Sequence, residues 1–158
     1  MRNAERKSQF TDHDYLLISA GTNTWLVGNG ESKVLIDTGE GFSSEKYVKF
    51  LLETVFPLTK TKNISLILLT HGHADHLGGV LTLLKELKKR GQPTPKVFKR
   101  QVFNGKYPPV GFVCEHIAEG QCFNASENSD SESIIIKSVY SAGHTDDHVA
   151  FTLQVRSN

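Results

Sequence analysis

The sequence has few cysteines, only Cys114 and Cys122 in 158 residues, which is no disulfide framework; free thiols in a reducing compartment are expected. Long hydrophobic runs are absent as well. The longest apolar-rich stretch, Ile64 to Leu69, falls far short of the ~18 residues that read as a transmembrane helix. No apolar segment follows the basic start from Met1 to Lys7, so neither a membrane partner nor a secretory signal is expected. An excess of one charge is also missing. The 18 Lys and Arg against 17 Asp and Glu leave +1, which gives the whole chain no pull toward nucleic acid or an anionic membrane. What remains is a globular composition, about 44% apolar with glycine counted and tyrosine left out. The length suits a single domain over 1–158.

The patterning is that of an α/β protein. Tyr15 to Asp37 reads as strand, turn, strand, turn, strand, with Gly21 and Gly28-Asn29-Gly30 as punctuation. Ser43 or Ser44 can cap a helix carrying Val48, Leu51, Leu52 and Val55 on one face, and Pro57 is expected to stop it. Ile64 to Leu69 is nearly continuous in apolar residues, as a strand covered on both faces would be. Leu77, Val80, Leu81, Leu84 and Leu87 then form a helical stripe ending in Lys88-Lys89-Arg90-Gly91. Brief strands are expected at Lys96-Val97-Phe98 and Gly111-Phe112-Val113, a loop from Asn124 to Ser133, and strands again at Ile134 to Val139 and Val149 to Val155.

Histidine is the residue in local excess. Five of the seven lie in two short loops: His71, His73 and His76 in the first, His144 and His148 in the second. Neutral imidazole is the commonest metal ligand, and two histidines one residue apart on an extended loop can share an ion. Asp75-His76 offers a carboxylate and an imidazole to a second ion. Zinc suits this nitrogen and oxygen set, and an open position on it would make hydroxide available near neutral pH. The loop also follows a buried strand, where open α/β sheets place their ligands.

The order His71-Gly72-His73-Ala74-Asp75-His76 resembles the signature of the metallo-β-lactamase superfamily. Leu35-Ile36-Asp37-Thr38-Gly39 is similar to the family's early strand ending in aspartate, and Ala142-Gly143-His144-Thr145 to its glycine-histidine-threonine turn. Within the superfamily, Gly21 to Gly28, Ile36 to Glu40 and Gly143 to His148 look most like the single-strand endoribonuclease branch. The resemblance implies a four-layer αββα sandwich, of which this chain would supply the first half and the opening strands of the second. It implies that His71, His73 and His144 hold a first zinc, that Asp75 and His76 serve a second with Asp75 as the catalytic carboxylate, and that Asp37 supports the ligand loop by hydrogen bonds without binding metal itself; His148 is either a further support or a polar residue at a strand start.

The family's later bridging aspartate and further histidine have no counterpart after His144. The second zinc is therefore expected to be held weakly or not at all, and the chain to be a C-terminally truncated domain. The function implied is a zinc-dependent hydrolase using metal-bound hydroxide, with single-stranded RNA as the expected substrate. The basic run from Lys85 to Lys106 leans the same way. A fungal group of polyketide-pathway thioesterases shares much the same motifs, so an acyl-carrier thioester is the alternative substrate, and an inactive remnant the other alternative. The endoribonuclease resemblance suggests a mitochondrial matrix or cytoplasmic location. Oligomeric state is left open.

Overall fold

The structure is a computed structural model that describes residues 14–19, 21–102, 111–127 and 132–157. Two sheets lie face to face. The first has six strands in the order in which they occur: β1 (Asp14–Ser19), β2 (Thr22–Val27), β3 (Ser32–Ile36), β4 (Asn63–Leu69), β5 (Lys96–Lys99) and β6 (Glu115–His116). β1, β2 and β3 pair antiparallel, whereas β3 through β6 run parallel. The second sheet is an antiparallel trio of β7 (Cys122–Asn124), β8 (Glu132–Tyr140) and β9 (Val149–Ser157).

Strand alternation sorts the apolar residues into two cores. Leu26, Leu35, Ile67 and Leu69 face helices, where they meet Val48, Leu51, Leu83 and Leu87. Val27, Val34, Ile36 and Leu68 face the second sheet and meet Phe123, Ile134, Ile136 and Val149. β4 is apolar along most of its length because it is covered on both sides. Leu35 and Leu83 are fully buried, and shortening either to alanine removes about 2–5 kcal/mol of stability.

The helices are α1 (Ser44–Phe50), α2 (Phe56–Leu58), α3 (Ala74–Leu77) and α4 (Val80–Lys89). Pro57 does not stop the first helical run. A π-helical turn over Leu51–Val55 joins α1 to α2, which carries Pro57 in its first turn. The widened turn makes room for a ring that has no N–H to give and would crowd the carbonyl four residues back. The strand expected at Gly111 to Val113 is also absent. Gly111 takes a left-handed φ of 69°, Phe112 packs onto the helix-side core, and the sheet ends instead at Glu115–His116. Cys122–Asn124, expected in part as loop, forms an edge strand on β8. Residues 128–131 of the expected loop lie outside the described ones.

Parallel pairing puts the C-terminal ends of β3, β4 and β5 along one rim of the first sheet. The β8–β9 connection of the second sheet arrives at the same rim, with Val149 N donating to Thr70 O at 2.8 Å. The two histidine loops meet there.

Candidate metal centre

Asp37, directly after β3, forms the base of the site. Its φ of 58° is left-handed, a conformation aspartate tolerates better than most residues. The side chain is 4% exposed, and a carboxylate so buried needs partners. It has them. Oδ1 accepts from Thr70 N at 2.8 Å, and Oδ2 accepts from Thr70 Oγ1 at 2.8 Å and from His76 Nδ1 at 2.7 Å.

Those bonds fix ring tautomers. A carboxylate oxygen accepts here, so His76 Nδ1 carries a proton. The one hydroxyl proton of Thr70 goes to Asp37, so Thr70 Oγ1 accepts from His71 Nδ1 at 3.0 Å. His71 Nε2 is thereby left with its lone pair. That atom is buried and has no hydrogen-bond partner among the described residues. A buried imidazole nitrogen without a partner is unfavourable by itself, and a cation supplies the missing partner.

His73 and His144 stand beside it. His71, His73 and His144 each offer one nitrogen, all within 4.8 Å of one another, and this is the one such group of three donors among the described residues. His73 Nδ1 and His144 Nε2 lie 3.1 Å apart. Two nitrogens on one tetrahedral zinc at ~2.0–2.1 Å sit about 3.3 Å from each other, so the donor set fits such an ion. His73 and His144 are exposed whereas His71 is buried, so the cluster is open to solvent on one side.

Asp75 and His76 form a second corner. Asp75 Oδ2 accepts from Thr22 Oγ1 at 2.9 Å and lies 3.3 Å from His76 Nε2. His148 neighbours His71, its ring centroid 5.0 Å from that of His71 and its Nδ1 2.6 Å from Ser141 Oγ. His116, away from both loops, is exposed; its Nδ1 accepts from Gln101 N at 3.1 Å.

The electrostatics follow from this packing. Burial, reinforced by the neighbouring imidazoles, pulls the His71 pKa down to about 4, so the ring is neutral and ready to bind at physiological pH. His148 is lowered by burial and by His144. Burial acts against a charged His76, but the Asp37 hydrogen bond and charge outweigh it and raise the pKa. Burial likewise disfavours the Asp75 carboxylate, and the Thr22 hydrogen bond with the nearby His76 overcomes it and lowers the pKa.

Three contributors escaped the sequence reading: Thr22, Thr70 and Ser141, whose hydroxyls orient Asp75, His71 and His148. Thr70 abuts the histidine loop and Thr22 lies in the glycine-bounded motif, but nothing local tells which hydroxyl points where.

Fold and site together define a metal-binding α/β sandwich with its donors at a strand-end rim. Residues 20–100 match the model of the metallo-beta-lactamase superfamily, and the chain belongs to that superfamily. Lactamase-like protein nscB of Neosartorya fischeri is 35% identical over 136 residues, which are 85% of this chain and 34% of the relative. The atrochrysone carboxyl ACP thioesterase of Aspergillus terreus is 32% identical over 134 residues, 85% of this chain and 35% of that one. The chain thus spans about a third of the length of these relatives. Among solved structures, the subclass B3 metallo-beta-lactamase MEM-A1 from a soil metagenome library has a TM-score of 0.68 at 20% identity, covering 94% of this chain and 58% of the enzyme. BJP-1 of Bradyrhizobium japonicum, also subclass B3, scores 0.68 at 18% identity over 96% and 57%. At those identities the likeness is one of fold.

The expected endoribonuclease branch finds no support in these relatives, which are named lactamase-like proteins and a thioesterase. The motifs that suggested it build the metal site and its supports, as Thr22, Asp37 and His144 show here. They carry little about the substrate.

Proposed function

We propose that this chain is the metal-binding part of a zinc-dependent thioester hydrolase acting on acyl groups held by a carrier protein. The observation that carries the metal assignment is the buried, unpartnered His71 Nε2 beside His73 and His144. Thioester in place of RNA is supported by the thioesterase relatives. An apolar cavity of about 320 Å³ between the sheets, lined by Trp25, Ile36, Ile136 and Phe151 and reaching Asp37 and Thr70, supplies surface of the kind an acyl chain needs.

His71, His73 and His144 would hold the ion. When bound it supplies Lewis acidity toward the thioester carbonyl and lowers the pKa of water. The chain does the rest. Asp37 and Thr70 keep the His71 lone pair turned to the cluster, and Thr22 orients Asp75 Oδ2, an acceptor held in its ionised form and able to take a proton from an attacking water. Asp75 and His76 make a partial second seat, so one ion per chain is expected.

The test is to load the purified chain with zinc and offer it an acyl-carrier thioester or single-stranded RNA. Release of free thiol with intact RNA is expected. RNA cleavage without thiol release would overturn the substrate assignment, and a chain that binds zinc but releases neither product is the inactive remnant.

A further inference from the structure

His71 and His73 follow β4 of the first sheet and His144 lies in a loop of the second, so a cluster of three requires the two sheets to be held in register at this rim. One tether is the backbone bond from Val149 N to Thr70 O. Another is made of side chains. Lys99, the last residue of β5, places Nζ 2.5 Å from Asp147 Oδ2, and the same ammonium donates to Arg100 O at 3.1 Å. The Lys99 side chain is 7% exposed and that of Asp147 0%. One residue further, the Arg100 guanidinium lies 3.7 Å from the centroid of the Tyr140 ring, at the end of β8 where the loop departs.

A fully buried ion pair contributes little net stability compared with a well-packed apolar pair, because both charges lose their hydration. What it supplies is intolerance of displacement: if the loop moves, the two charges lose their mutual contact inside a dry interior. Asp147 is three residues from His144, on the short connection between β8 and β9, so such a constraint acts directly on the imidazole.

We propose that Lys99 and Asp147 are positioning residues of the metal centre, whose buried ion pair holds the β8–β9 loop so that His144 meets His71 and His73. The inference rests on the metal centre proposed above. In this reading both act through the placement of His144 on the β8–β9 loop.

The test uses Asp147→Asn, which keeps shape and removes charge, and the double variant K99M/D147L, which removes both charges and so avoids a lone buried one. Folding is checked by circular dichroism, zinc affinity by competition with a chelator, and ligand geometry by the visible spectrum of bound Co(II). Both variants are expected to fold, to bind zinc roughly 10–100-fold more weakly, and to shift the Co(II) bands toward those of His144→Ala. Wild-type affinity and spectrum in the folded variants would overturn the proposal, as would failure of both to fold, which would make the pair a determinant of the fold alone. A wild-type chain that takes up neither zinc nor cobalt overturns the metal-centre reading itself, a result distinct from the others.

Discussion

The carboxylate of Asp37 and the imidazole of His76 meet at 2.7 Å, Oδ2 to Nδ1, and so join the end of β3 to α3. The same carboxylate takes the amide and hydroxyl of Thr70, while Thr38 N and Oγ1 both donate to His76 O, at 2.8 and 3.0 Å. The histidine loop is thus held from below by residues that have no metal to bind. Asp37→Ala strands the Thr70 amide and hydroxyl and the His76 ring N–H in a buried setting, and the metal-free chain should lose at least about 3 kcal/mol. Urea unfolding measures this; an unchanged midpoint contradicts the role given to Asp37.

Zinc content separates the cluster from an unrelated histidine. His73→Ala should remove most of the bound zinc, whereas His116→Ala should retain it, since His116 is outside the group of three donors. Mass spectrometry of chelator-treated, reconstituted protein gives the answer. Equal zinc in both variants would sink the assignment.

Gly79 lets the histidine loop lie on the β3 end. A Cβ there would be 2.2 Å from Thr38 O, a backbone atom that cannot swing aside. Gly79→Ala should therefore destabilise by about 1–3 kcal/mol through overpacking. Gly143→Ala, where a Cβ meets nothing within 4 Å, should stay within about 0.5 kcal/mol of wild type. Thermal melts of the two variants side by side test the contrast, which is lost if they melt together.

Acid should weaken the metal-free chain. The folded His71 pKa of about 4 lies below its ordinary 6.5, so between these values the unfolded chain binds the extra proton and stability falls as pH drops through that window. His148, also lowered, acts in the same sense, and the raised His76 opposes them. The strongly displaced group is His71, so the net slope should follow it. Melting temperature against pH is the measurement, and His71→Asn should flatten the curve. A melting temperature that rises on acidification would show that the His76–Asp37 pair dominates.

Much of this protein is written in short-range pattern. The continuous apolar run of β4 announces a strand buried on both faces, the stripe ending at Leu87 announces α4, though Leu81 of that stripe is exposed and Leu83 is buried in its stead, and the close spacing of His71, His73, Asp75 and His76 marks the rim where the donors converge. Each of these depends on residues within a few positions of one another, where periodicity and side-chain type decide the outcome. Even so, the expected single helix after His76 is divided at Gly78 and Gly79, because the Asp37–Gly41 segment packs against it there: a Cβ on Gly78 would meet Gly41 N at 2.4 Å.

The sequence by itself determined the α/β class, the strand buried on both faces and the histidines available for a metal. Only the tertiary structure decided that Thr70 sets the tautomer of His71, that Thr22 orients Asp75, and that Lys99 meets Asp147. The reason is distance along the chain. A hydroxyl or a charge has no periodic signature, and its partner is chosen by how two sheets pack, a relation set by the whole core and by no local stretch of residues.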